Sequence, residues 1–190
     1  KLIEEKRLLI EALPASGTAI LNGDNQYVRE MAKFTKADIK WYGSTQDCEI
    51  SVLKNTIQVT PLGTSATFTI QSSPHIIRTG LIGVHHVQTI MASYLLAKTT
   101  VQKDILEVFT QIFSNVKPLR GRMSLEKGPN NTILLNDSLR ANPESTNSGL
   151  KTLQIMQHSG RKIAVMGEMG ELEFPEIEHK KTGVFFADLG

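Results

Sequence analysis

The residues best equipped for chemistry lie together in Leu134-Leu135-Asn136-Asp137-Ser138-Leu139-Arg140-Ala141-Asn142-Pro143-Glu144-Ser145-Thr146. An apolar run halts at Asn136-Asp137-Ser138. Asn142, Pro143 and Glu144 then carry the marks of a helix start: an N-cap, a proline at the first helical position and an acid in the first turn. Strand, polar loop and helix start in that order suit a phosphorylated ligand, because free backbone N–H groups and the helix dipole favour anions. The same residues also fit a well-capped helix that simply follows a strand, and locally both readings stand.

Other chemistry-bearing residues are scattered along the chain. Lys6 falls on an apolar helical stripe made by Leu2, Leu9, Ile10 and Leu13. A lysine there either snorkels to the rim or sits partly buried, where its pKa shifts readily. Asn22, Gly23 and Asp24 follow the apolar run Thr18-Ala-Ile-Leu, at the carboxyl end of a predicted strand, where α/β ligands bind; a plain strand-to-helix loop accounts for them equally. His86, Thr89 and Ser93 share a polar flank of a helix whose core face is Val87, Ile90, Met91, Tyr94 and Leu95. That flank is either a ligand contact or a polar shoulder. His85 and His86 are adjacent, so on a helix they point about 100° apart and do not make a zinc pair.

Stepping outward, the elements that must position these residues form two groups. Lys1 to Leu13 reads as a helix, followed by a strand, a helix through Phe34 and a second strand at Ile39-Lys-Trp-Tyr42, which is a βαβ unit with a parallel sheet. Cys48 to Gly80 alternates as a small antiparallel meander ending in a strand through His75-Ile-Ile-Arg78. A helix to about Lys98 and another from Val101 to Phe113 follow. Asn115 to Arg122, with proline, glycine and three basic residues, reads as a linker, so the expected domains are 1–116 and 117–190. Beyond it come a hairpin around Gly128-Pro-Asn-Asn131, the helix from Pro143, a strand at Arg161-Lys-Ile-Ala-Val-Met166 and a last helix from Pro175. The fold class is α/β.

Composition narrows the function classes. A formal net charge of +2 over 190 residues, with 21% charged residues and no long basic or acidic block, gives no sign of nucleic acid or an anionic membrane as partner. One cysteine, Cys48, precludes an internal disulfide framework. No apolar run approaches the ~20 residues that span a bilayer, so a soluble, cytoplasmic protein is expected. The start at Lys1, without methionine and already in helical pattern, makes a piece of a longer protein the expectation.

Four segments together resemble the Mur ligases, ATP-dependent amide ligases of peptidoglycan precursor synthesis. Glu5-Lys6-Arg7 through Asn22-Gly23-Asp24 is similar to the family's lysine stretch and "N-A-D" strand end. Gly83-Val84-His85-His86 through Ala92 resembles its "G-x-H-N-x-x-N-x-x-A" helix. Gly121-Arg122, with Asn136-Asp137-Ser138 and Ala141-Asn142-Pro143, resembles the start of the third domain and its "D-S-Y-N-A-N-P" loop. Arg161 to Leu172, with His179, resembles "G-R-x-x-x-V-L-G-D-M-x-E-L-G…H".

The resemblance implies a set of roles. Lys6 would carry a carbamate that serves as an oxygen ligand for magnesium, which makes it both a catalytic and a metal residue. Asp137 would hold the nucleotide, with Ser138 and Asn142 shaping its loop and Arg122 near the phosphates. His86 and Thr89 would lie by the adenine, and Asn22 and Asp24 would line the ATP site. ATP and Mg2+ are the implied cofactors, a UDP-N-acetylmuramoyl-peptide and D-alanyl-D-alanine are the implied substrates, and a monomer is expected. The acyl phosphate formed from the carboxylate would be attacked by the incoming amine. Departures are specific: the family's two helix asparagines are His86 and Thr89 here, and its loop tyrosine and following asparagine are Leu139 and Arg140. No G-x-x-x-x-G-K-[ST] phosphate loop occurs. The expected content is therefore the latter part of an ATPase domain plus the first part of a C-terminal domain, inactive alone. A non-catalytic nucleotide-binding homologue and a folylpolyglutamate synthase relative are the rival readings.

Overall fold

Short alternating runs and 3.6-residue periodicities build strands and helices in the order expected of an α/β chain, as seen in a computed structural model that describes residues 2–101, 103–170 and 172–189. The helices are α1 (Leu2–Glu11), α2 (Gln26–Met31), α3 (His86–Val101), α4 (Leu106–Asn115), α5 (Pro143–Ile155) and α6 (Pro175–Asp188). The strands are β1 (Thr18–Asn22), β2 (Asp38–Gly43), β3 (Ile50–Val52), β4 (Gln58–Thr60), β5 (Gly63–Ile70), β6 (Ser73–Thr79), β7 (Ser124–Lys127) and β8 (Ile133–Asn136). The chain divides into two units, one of Lys1–Ile57, Ala66–Ile77 and Val87–Phe113, the other of Gln58–Ser65, Arg78–His86 and Ser114–Gly190.

In the first unit β1 and β2 run parallel, with Thr18 opposite Asp38 and Asn22 opposite Tyr42, and β3 continues parallel to β2. The βαβ unit is therefore present. The expected antiparallel meander continues the same sheet: β3 also pairs antiparallel with Phe68–Ile70 of β5. Gln71 and Ser72 turn the chain into β6 with φ of 50° and 64°, the doubly left-handed geometry of a tight hairpin turn. Ile50, Phe68 and Ile77 on the strands meet Val87, Ile90, Met91, Tyr94 and Leu95 of α3 in one core cluster. That is the expected apolar face of α3, and all five residues are buried.

Two helix details correct the sequence reading. Lys6 is exposed, not half-buried, and Leu9 is 69% exposed. The inner side of α1 is turned toward Ile10 and Leu13, which pack on Ala19, Leu21 and Ala32, and toward Arg7, whose guanidinium lies 4.4 Å over the Phe34 ring. A cation over an aromatic face recruits Arg7 where apolar counting picks Leu9. The helix expected from Lys1 begins at Leu2, and Lys1 lies outside the described residues. Further along, α3 continues to Val101 and α4 begins only at Leu106, after Asp104 Oδ1 has accepted the Leu106 N–H at 3.1 Å.

In the second unit β4 pairs antiparallel with Gly63–Ser65 of β5, and β7 with β8, Ser124 opposite Asn136. Val59, Ile82, Met123 and Met156 form its apolar cluster, flanked by Leu125 and Leu135. α5 and α6 pack together. Residues 161–166 are not the expected strand: they have no regular structure, and Val165 is 94% exposed. An apolar run becomes a strand only where a neighbouring ladder accepts its N–H and C=O groups, and no strand among the described residues pairs with it. The irregular stretch after it is tied to α6 by His179, whose Nδ1 lies 2.7 Å from the Pro175 carbonyl while Nε2 accepts the Met169 N–H at 2.9 Å. Glu171 lies outside the described residues, as does Gly190.

Candidate functional site

The first unit holds Lys6, Asn22, Asp24 and Thr89. Lys6 and Thr89 are exposed. Asn22 ends β1 and folds its Oδ1 onto the Asp24 N–H at 2.9 Å. One oxygen of Asp24, Oδ1, accepts both the Ser44 N–H at 2.8 Å and the Ser44 hydroxyl at 2.7 Å. This carboxylate thus ties the loop after β1 to the loop after β2. Arg29 completes the arrangement: its Nε donates to the Gly23 carbonyl at 2.6 Å, Nη2 meets Asp47 at 2.8 Å, and the guanidinium lies 4.8 Å over Trp41. Nothing in the spacing of Arg29, Ser44 and Asp47 marks them in advance, because they meet only once β1 and β2 pair. A hollow of about 320 Å³ elsewhere in this unit is lined by Cys48, Glu49, Gln71, Ser72, Tyr94 and Lys98, and by none of the expected site residues.

The second unit holds His86, Arg122, Asp137, Ser138 and Asn142. Gly121, at φ 77°, and Met123, at φ 52°, bend the chain into β7. The bend aims the Met123 N–H at Asp137 Oδ1, 3.1 Å away across the hairpin. Leu139 N–H closes the loop onto the Gly121 carbonyl at 3.1 Å. Asn136 Oδ1 accepts both the Ser138 N–H at 3.2 Å and its hydroxyl at 2.8 Å. Asn142 caps α5 as expected, accepting the Ser145 N–H at 2.9 Å, while Ser145 Oγ accepts the Asn142 N–H at 3.1 Å. The result is a capping box built on asparagine and serine.

Asp137 is half-buried, and burial pushes its carboxyl pKa up; the Met123 N–H and the charges of Arg122 and His85 oppose this. His86 begins α3, its N–H on the Gly83 carbonyl at 3.1 Å. Burial, with the neighbouring His85, pulls its pKa down to about 4. The two rings are 4.1 Å apart and tilted by 44°. His85, which the sequence reading placed in the Gly83-to-Ala92 motif and excluded from a zinc pair, is the histidine whose charge acts on Asp137. Arg122 is exposed beside that carboxylate. The loop can therefore offer an anion-binding guanidinium, a hydroxyl-accepting carboxylate and a capped helix start. Among the described residues no group of three or more His, Cys, Asp or Glu side chains could hold a metal ion, and no helix is long and apolar enough to cross a membrane.

The fold is mixed α/β with βαβ pairing, and an Asp-Ser loop precedes the capped helix α5. Residues 1–97 match the Mur ligase middle domain, and the chain belongs to the Mur ligase family. It is 27% identical over 187 residues to the UDP-N-acetylmuramoyl-tripeptide--D-alanyl-D-alanine ligase of Mycobacterium tuberculosis, which covers 95% of this chain and 36% of that protein. In fold it is similar to MurF from Acinetobacter baumannii, with a TM-score of 0.82 at 21% identity over 98% of this chain and 40% of that one. MurF ligase from Thermotoga maritima, solved in complex with ADP, gives a TM-score of 0.78 at 20% identity over 97% and 41%. The chain thus spans about a third of the length of the curated relatives it matches.

Proposed function

We propose that this chain is part of an ATP-dependent ligase of peptidoglycan precursor synthesis that joins D-alanyl-D-alanine to a UDP-N-acetylmuramoyl-peptide. The observation that carries the reading is the similarity to the mycobacterial ligase along 95% of the chain, including the Asp137 loop. In this reaction a carboxylate oxygen attacks the γ-phosphorus of ATP, ADP leaves, and the amine then attacks the acyl phosphate, with inorganic phosphate departing from the tetrahedral intermediate. Such chemistry rests on positioning and on charge placed against the phosphoryl oxygens.

Within that reading, Asp137 accepts hydroxyls of the nucleotide, Ser138 and the Asn142 cap hold its loop, and the exposed Arg122 guanidinium meets phosphate oxygens. His86 and Thr89 lie beside the base, and Asn22 and Asp24 hold the strand ends that border the nucleotide. Asn115 to Arg122 is read as the linker between 1–116 and 117–190. Lys6 is exposed rather than buried. A carbamate on Lys6 would supply one oxygen ligand of a magnesium site. In the intact ligase Lys6→Ala is expected to abolish ligation and short carboxylates to restore part of it; normal turnover in that variant removes Lys6 from the reaction. Titration of ADP onto the chain, with Asp137→Asn as control, tests nucleotide binding directly.

A further inference from the structure

Gly83 sits at φ +129°, a conformation that L side chains rarely adopt, and an added Cβ would stand 2.5 Å from Cε1 and 2.8 Å from Nδ1 of His85. The imidazole is folded back over the glycine. Buried Thr64 locks that glycine on both sides, its Oγ1 accepting the Gly83 N–H at 3.0 Å and donating to the Gly83 carbonyl at 3.3 Å. Held in this way, His85 Nδ1 lies 3.3 Å from Ser148 Oγ on α5. The next residue of α5, Gly149, faces the other partner, since a Cβ there would meet Asp137 Oδ2 at 3.4 Å. Of two consecutive residues of one helix, Ser148 therefore contacts His85 and Gly149 presents its side-chain position to Asp137. With Oδ1 committed to the Met123 N–H, Oδ2 is the oxygen left for a ligand.

We propose that His85 is a positioning residue for Asp137, holding α5 through Ser148 so that Gly149 backs the free carboxylate oxygen, and supplying a cation beside that carboxylate on acidification. The other charged or titratable groups acting on the pair are Arg122 at the start of the hairpin and His86 in the first turn of α3. Removing the His85 charge leaves Arg122 as the cation opposing protonation of Asp137, so the carboxylate will protonate at higher pH. The functional meaning rests on the nucleotide reading of Asp137; the placement does not.

The experiment uses the 190-residue chain and its His85→Ala and His85→Asn variants, with Asp137 followed by carboxyl 13C NMR and ADP affinity measured calorimetrically across pH 4.5 to 8. Asparagine sets an amide near the Nδ1 position and keeps the Ser148 contact without a titratable proton. We expect the Asp137 midpoint to rise in both variants. At pH 8 ADP affinity should fall about 3- to 10-fold in His85→Ala and be largely restored in His85→Asn. An Asp137 midpoint unmoved in both, or in His85→Asn alone should the alanine variant fail to fold, overturns the proposal. So does equal weakening of ADP in the two variants at pH 8. If instead the midpoint shifts while Asp137→Asn binds ADP as the unaltered chain does, the placement is upheld and the nucleotide reading falls.

Discussion

Stability and the proposed nucleotide contact make opposite demands on the Asp137 side chain. Burial raises its pKa, so the folded state holds its proton more tightly than the unfolded chain does. The sign follows: its favourable contribution is complete below the unfolded carboxyl range near pH 4 and is lost as pH rises through the folded value. At neutral pH the ionised carboxylate costs stability. Asp137→Asn, whose Oδ1 still accepts from Met123, is expected to melt no lower than the unaltered chain at pH 7.5 while losing about tenfold or more in ADP affinity. Differential scanning calorimetry and isothermal titration on the same samples check both halves. His86 behaves in the opposite sense. Its pKa is lowered to about 4, so its contribution is present above the unfolded value near 6.5 and disappears as pH falls toward 4. After allowance for partial solvent screening this is about 1–2 kcal/mol, and His86→Gln should flatten that limb of a urea-melt pH series.

At the scale of elements, the turn before α3 is fixed by one buried hydroxyl. Thr64→Val keeps the shape but strands the Gly83 N–H and C=O, and is expected to cost about 1–3 kcal/mol by urea denaturation. Asn142→Ala removes the accepting side of the α5 capping box and should cost about 1 kcal/mol. These two elements also mark where sequence reading works. The core face of α3, the hairpin β7–β8 and the Asn142 cap are local patterns, written in spacing and in turn residues, and they were legible. Which side of α1 faces inward was not, because Phe34 lies 27 positions beyond Arg7 and the cation over its ring depends on tertiary approach. Residues 161–166 failed for the complementary reason: β-branched and apolar content announces a strand, but only a partner makes one. Among the site residues, the loop from Asp137 to Asn142 could be read from polar types in order, whereas Ser44 on Asp24 and Ser148 on His85 join residues 20 and 63 positions apart.

At the scale of the whole molecule, chain length sets what each assay can report. These residues correspond to about a third of the mycobacterial ligase. The 190-residue chain is therefore expected to bind ADP without sustaining ATP turnover, as a phosphate-release assay would register; substrate-dependent turnover by this chain alone would overturn the division into 1–116 and 117–190 of larger domains. The open run at 163–166 is a second property of the chain as a body. Val165→Asp should change stability by less than about 0.5 kcal/mol, since the side chain is already in water, and should raise the concentration at which light scattering detects association.

His179 carries an implication for anyone hunting a proton shuttle or a metal in this family member. With one ring nitrogen at the Pro175 carbonyl and the other receiving the Met169 amide, the imidazole has no lone pair to spare. Recruiting it as a base or a ligand would mean surrendering the Met169 contact, so it acts as a rivet rather than a reagent, and chemical probes aimed at reactive histidines should label His85 ahead of it.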